Sequence, residues 1–272
     1  MLLSLQRRSV RHSGYSLREL PSCTILTGDS TISATYSGFE GRLADVMITD
    51  PPYCLLHRRR KGGDLRDPKK IIRKLDNDDA VRRFNDLAEY TTFTKSWMRA
   101  CHGSLKPQAD LIIWSNALGK QPIQRCCNEL GYAMIGEYLW AKHTKNVEPG
   151  ALRSEVLLRV YESALIFRHR SKEAVQRSRA IPWSVVTGYH DECASSAHPH
   201  PCRKPVIAIE PLVLSWSRPD DLVLDPFVGS GGIVEACLSS GRSVIGVEIL
   251  PQWSKYTIDT ASTSCEHPRY EP

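Results

Sequence analysis

At 272 residues, 41% of them hydrophobic, the chain is long enough for one large domain and apolar enough to fill its core. A formal charge of +6 and a pI near 8.8 suit a polyanionic partner without requiring one. No apolar run reaches the roughly 20 residues of a membrane span, and no secretory apolar segment is visible, so neither a membrane partner nor export is expected.

The first 18 residues carry Arg7, Arg8, Arg11 and Arg18 with no acid, and serine and leucine are interleaved among them. This reads either as an organellar transit peptide or as a basic tail that touches nucleic acid. Residues 1–20 are therefore set apart from the fold, residues 21–260 form the expected single domain, and 261–272 form a tail.

Seven short strands are predicted in chain order: 23–27, 45–49, 109–115, 133–141, 160–168, 221–225 and 243–248. The pair 133–141 and 160–168 reads as antiparallel. Between strands, Val81, Phe84, Leu87, Ala88, Trp97, Met98 and Cys101 fall at helical spacing and read as a face packed on a sheet. Pro122 suits the first turn of a second helix ending at Gly131, and a third follows Pro205, from Ile207 to Trp216. Strands alternating with helices give an α/β, doubly wound, mostly parallel seven-stranded sheet.

Two segments break the alternation and read as insertions. Residues 54–77 include Arg58, Arg59, Arg60 and Lys61 in a strongly basic run, and 169–199 are polar and aperiodic. Nine cysteines without an export signal read as reduced thiols. His190, Cys193, His198, His200 and Cys202 match no standard zinc spacing, so no metal is expected.

Two motifs carry chemistry. Asp225-Pro226-Phe227-Val228-Gly229-Ser230-Gly231-Gly232 is a glycine-rich turn between a strand and a helix. Its glycines let backbone approach a ligand, and the helix start offers free N–H groups. Glu248 ends the next strand, nineteen residues after Gly229, placed to accept hydrogen bonds from a nucleoside ribose. A nicotinamide or flavin enzyme would need G-x-G-x-x-G and more chain after it.

Asp50-Pro51-Pro52-Tyr53 follows a buried strand and so lies at the carboxyl edge of the sheet. An exocyclic base amine is a poor nucleophile because its lone pair is drawn into the ring. The Asp50 carboxylate and Pro51 carbonyl together can accept both of its N–H groups, orienting it and raising its electron density. The two prolines stiffen that carbonyl and add no competing donor, and Tyr53 can stack on a base that has left the duplex.

DPPY, then HPCRKP at His200–Pro205, then LDPFVGSGG and VIGVE resemble, in that order, the amino-methyltransferases of DNA in their permuted "beta" arrangement. The resemblance spans roughly residues 23–255. It implies the class I S-adenosylmethionine methyltransferase fold, circularly permuted, with S-adenosyl-L-methionine as cofactor. It places Asp225, Pro226, Phe227, Gly229, Ser230 and Gly231 around the cofactor, Glu248 on its ribose and Asp29 near its adenine. His200 and Lys204 would flank its methionine portion, and Asp50, Pro51, Pro52 and Tyr53 would be catalytic. An initial Asp is associated with N6 of adenine and an initial Ser with N4 of cytosine. Gly232-Ile233 departs from the two threonines often found in the family, and a recognition segment confined to 169–199 is short.

The expected function is transfer of a methyl group to N6 of adenine in a flipped DNA base, as in restriction-modification. The alternatives are N4 of cytosine, an RNA substrate, or a non-catalytic DNA-binding partner of an active enzyme. Arg58, Arg59, Arg60 and Lys61, emerging beside DPPY, are expected to meet phosphates. A second copy of the chain is a further candidate partner. The expected location is inside the cell on DNA: cytoplasmic in a bacterium, mitochondrial or nuclear in a eukaryote.

Overall fold

The computed structural model describes residues 8–12, 15–56, 82–143, 161–172, 186–189 and 203–266. Its strands are β1 (Arg8–His12), β2 (Tyr15–Leu20), β3 (Cys23–Thr27), β4 (Ala44–Thr49), β5 (Leu105–Ser115), β6 (Tyr132–His143), β7 (Tyr161–His169), β8 (Val186–Tyr189), β9 (Leu222–Asp225) and β10 (Ser243–Glu248). A 3-10 helix covers Ser33–Phe39. The α-helices are α1 (Leu87–His102), α2 (Lys120–Glu129), α3 (Val206–Trp216), α4 (Gly232–Ser239) and α5 (Pro251–Glu266).

All ten strands join one sheet in the order β1-β2-β3-β10-β9-β4-β5-β7-β6-β8. The centre, β3 through β5, is parallel. Its strands are apolar on both faces, as a sheet covered by helices on both sides requires. Successive residues supply opposite cores: Met47, Leu111 and Ile113 point one way, and Val46, Ile48, Ile112 and Trp114 the other. The first face packs on α1 and α2 through Phe93, Trp97 and Ile123, with Phe39 of the 3-10 helix. The second packs on α3, α4 and α5 through Ile209, Leu212, Ile233, Cys237 and Ile258. The doubly wound expectation is met.

Three strands lie beyond the seven expected. Residues 1–20, set apart as a tail, contribute β1 and β2, an antiparallel hairpin that pairs onto β3. Leu17 and Leu20 of β2 are buried on opposite faces of the sheet, a spacing of three that offers no strand alternation to read in an arginine-rich segment. β8 arises inside the segment 169–199 and pairs with β6. The 261–272 tail also starts later than expected, since α5 continues to Glu266 and Ala261 is buried. The helical stripe begins later too. Asp86 caps α1 by accepting the Glu89 N–H at 2.8 Å, while Glu89 reaches back to the Asn85 N–H at 2.7 Å. Phe84 thus precedes the helix and bridges to Leu56.

This topology sets DPPY beside the glycine-rich turn, because β4 and β9 are adjacent and parallel, with Val46 opposite Val223 and Met47 opposite Leu224. The turn then folds back over the sheet, and the Val228 N–H donates to the Val247 carbonyl at 3.0 Å. Gly246 permits this close approach. A Cβ there would lie 2.3 Å from Val228 Cγ2 and 3.0 Å from the Asp225 carbonyl. Gly246→Ala is expected to lower the unfolding free energy by about 1–3 kcal/mol through overpacking. Urea unfolding should show a lower midpoint at unchanged slope, and an unmoved midpoint would mean that the turn shifts freely.

Candidate active site

The carboxyl ends of β3, β9 and β10 converge on the glycine-rich turn. Asp225, the last residue of β9, is fully buried. Its Oδ1 accepts the Thr49 hydroxyl at 2.7 Å and the Phe227 N–H at 3.0 Å, while Oδ2 is buried without a hydrogen-bond partner. Burial raises its pKa to about 7, and the Thr49 and Phe227 hydrogen bonds oppose that rise only in part. Phe227 wedges its ring against Trp97 and Phe93, with centroids 5.3 and 6.0 Å away. Gly229 and Gly231 have φ of 53° and 81°, the left-handed region that a turn this tight demands.

Glu248 braces the turn. Its Oε2 accepts the Gly229 N–H and its Oε1 the Leu250 N–H, both at 2.8 Å. Burial pushes its pKa up and these amides pull it down, with a net rise. Each oxygen keeps a lone pair for a further donor. Gly28 at the end of β3 donates its N–H to the Glu248 carbonyl at 2.9 Å. Asp29 beside it forms a local turn by accepting the Thr31 N–H and hydroxyl at 2.8 and 2.7 Å. The Ser30 hydroxyl donates to the Pro226 carbonyl at 2.5 Å.

The second group of residues surrounds one buried lysine. Lys204, 6% exposed, places Nζ 2.5 Å from Asp50 Oδ2 and 2.9 Å from Glu162 Oε2, and donates to the Tyr53 hydroxyl at 2.7 Å. The Tyr53 hydroxyl donates in turn to Glu162 Oε2 at 2.7 Å. The ammonium also lies 4.9 Å from the ring centroids of both Tyr53 and Trp114. Burial would lower the Lys204 pKa, but the two carboxylates outweigh it and leave the pKa raised, so the ammonium stays charged. Burial raises Asp50, Lys204 opposes that rise, and Glu162 adds to it. Asp50 Oδ1 is buried and has no hydrogen-bond partner.

The two groups touch. A Cβ at Gly232, the first residue of α4, would lie 2.8 Å from the Lys204 carbonyl oxygen. Beyond Tyr53 the chain is pinned by Asn116 at the end of β5, whose side chain donates to the Cys54 carbonyl at 3.0 Å and accepts the Gly119 N–H at 3.0 Å.

Asp50, Tyr53 and Lys204 therefore meet in one cluster, while Asp29, Asp225, Pro226, Phe227, Gly229, Ser230, Gly231 and Glu248 gather at the turn. Lys204 was expected on the cofactor side. Its backbone does lie against α4, but its ammonium reaches across to Asp50. His200, Arg58, Arg59, Arg60 and Lys61, and the cysteine–histidine cluster 190–202, lie outside the described residues. Glu162 and Trp114 were missed. The available signal was the single acid in YESALIFRH, at the same alternation as the buried Ala164 and Ile166.

A family model described as DNA methylase matches residues 44–259. The chain is 27% identical to the type II methyltransferase M.HinfI of Haemophilus influenzae over 219 residues, covering 75% of this chain and 59% of the relative. Among solved structures, the M1.HpyAVI–SAM complex superposes with a TM-score of 0.58 at 20% identity, covering 88% of this chain and 99% of that one. The cytosine-N4-specific PvuII DNA methyltransferase gives 0.56 at 15% identity, covering 90% and 92%. These likenesses identify the fold as that of class I methyltransferases.

The buried Asp225 generates a stability prediction. Its pKa lies at about 7 in the folded chain, against an ordinary value of 3.8. The folded state thus binds more protons between those values. The resulting stability is fully present below the ordinary value and lost as pH rises through about 7. Asp225→Asn removes this titration, so the fall in melting temperature between pH 4.5 and pH 8 should be smaller than in the unaltered chain. Equal falls would place the ionised carboxylate in water.

Proposed function

The chain belongs to the N6/N4 DNA methylase family, and we propose that its Asp50 cleft methylates the N6 amine of a flipped adenine with S-adenosylmethionine as donor. The observation that carries this reading is Asp50 Oδ1, a buried carboxylate oxygen without a hydrogen-bond partner at the carboxyl edge of β4. The amine donates one N–H to Oδ1 and the other to the Pro51 carbonyl. Lys204 meanwhile holds Oδ2, so the carboxylate cannot rotate away. Asp50 then takes the proton that the amine must lose. Tyr53, fixed through its hydroxyl by Glu162 and Lys204, offers its ring to stack on the base.

The turn suits a nucleoside donor, since Asp225 Oδ2 is an unfilled acceptor and Glu248 keeps lone pairs for two ribose hydroxyls. Phe227 and Asp29 border the same space. When bound there, the donor supplies an electrophilic methyl group on sulfur. Holding two reactants in neighbouring sites is itself a large part of such catalysis.

Adenine is favoured by the initial Asp of DPPY. Cytosine N4 is the second reading, supported by the fold shared with the cytosine-N4-specific PvuII enzyme. Nucleoside mass spectrometry of DNA incubated with the chain and labelled donor separates them, with N6-methyladenine the expected product. Asp50→Ala should abolish it, raising the barrier by on the order of 3 kcal/mol or more while donor affinity stays nearly intact. Retained turnover in that variant would remove DPPY from the mechanism.

The basic run after DPPY supports contact with DNA phosphates by Arg58, Arg59, Arg60 and Lys61. Neutralising them should weaken binding to all duplexes alike and flatten the log affinity–log salt slope by roughly 0.9 per contact. A changed base preference at unchanged slope would instead point to groove reading.

A further inference from the structure

The site holds an acid whose charge the reading above leaves unused. Glu162 lies on β7, opposite Trp140 of β6, far in sequence from DPPY. Its Oε2 meets both the Lys204 ammonium at 2.9 Å and the Tyr53 hydroxyl at 2.7 Å. Its side chain is 19% exposed and that of Lys204 only 6%, so water screens this ion cluster poorly.

We propose that Glu162 is a positioning and charge-balancing residue, which shares the Lys204 ammonium so that Asp50 is held in place without its field being cancelled. The proposal rests on the methylation reading. An ammonium paired with Asp50 alone would hold the carboxylate in place but cancel its field. That field draws electron density onto the amine nitrogen and stabilises the positive charge developing there during transfer. With Glu162 present, the two carboxylates and one ammonium sum to one negative charge, and Asp50 is held without being neutralised. The Tyr53 hydrogen bond uses the same Glu162 oxygen, so one acid sets both the ion balance and the pose of the ring.

Other groups face Asp50 as well. Lys204 comes from the segment before α3, Glu162 from β7 and Tyr53 from the same turn; Asp225 and Tyr90 act from β9 and α1. Of these, Glu162 is the acid that shares the lysine. Removing its charge leaves Lys204 pulling unopposed, so the Asp50 titration midpoint must fall. The acid limb of the rate profile, where Asp50 becomes protonated, must move to lower pH with it.

Glu162→Gln keeps an acceptor for the Tyr53 hydroxyl and removes only the charge. The full chain carrying it is expected to turn over at least ~30-fold more slowly, with KM for DNA and donor within about 3-fold of the unaltered values. Without donor or DNA, carbon-13 NMR should show the Asp50 carboxyl midpoint lowered by about one pH unit or more. A merely structural role predicts lost thermal stability and an unmoved midpoint.

Removing the charged pair together is gentler on a buried site than removing one member. Glu162→Gln combined with Lys204→Met therefore covers the case where the single variant fails to fold. There Asp50 loses both the ammonium and the second acid while its burial remains, so its midpoint should rise to or above the unaltered value, opposite in direction to the single variant. Unaltered turnover in the single variant, an unmoved midpoint there, or a midpoint that falls in the double variant would each overturn the proposal. If the unaltered chain methylates no DNA, the methylation reading fails. The carboxyl titration then still judges Glu162 by itself.

Discussion

A lysine ammonium taken out of water must be met by opposite charge and by hydrogen-bond acceptors, because an unpaired buried charge costs far more than a fold of this size can absorb. Lys204 imposes that condition on three other pieces of chain. Asp50 and Tyr53 come from the turn after β4, Glu162 from β7, and Trp114 from β5 supplies a ring wall. The three pieces are far apart in sequence, and the sheet order brings β4, β5 and β7 side by side. The ion cluster and the sheet therefore specify each other. A different strand order would leave the ammonium without its acids.

The glycine-rich turn answers a different constraint. Its tight backbone leaves amides that must be satisfied within the turn itself. Glu248 does this by accepting the N–H groups of Gly229 and Leu250, and the Thr257 hydroxyl donates to the Gly229 carbonyl at 3.0 Å. A carboxylate with two oxygens can brace the loop and still receive ribose hydroxyls. Asp225 is the strained member. Its second oxygen has no hydrogen-bond partner, and burial raises its pKa to about 7. Such a group marks where a polar ligand fits.

Much of this was legible in the sequence because it depended on local pattern. The parallel strands read as runs of branched residues, and the two motifs announced themselves by proline and glycine placement. β1, β2 and β8 were not legible, since they are peripheral strands with mixed composition and their pairing is decided by the sheet they join. The start of α1 was misplaced because Val81 and Phe84 share the helical spacing, whereas capping by Asp86 fixes the boundary. Glu162 stands out as the single acid of its strand, but its role was hidden for a deeper reason. Its partner Lys204 is forty-two residues away in the chain, and only long-range pairing of β7 with β5 and β6 brings them together. Lys204 itself was assigned by its place before α3, but a four-carbon side chain can leave its neighbourhood, and this one does.

The contact between Gly232 and the Lys204 carbonyl has a consequence for how such a protein changes over generations. The helix that follows the glycine-rich turn rests on the backbone of Lys204, whose ammonium pairs with Asp50, with no side chain between them. The two halves therefore cannot drift separately. A threonine transplanted into Gly232 from a relative would press on the lysine before it could touch a cofactor. Position 232 and the path of the 203–205 backbone should thus be inherited as a unit, and chimeras that split them would inherit a mismatch rather than a hybrid specificity.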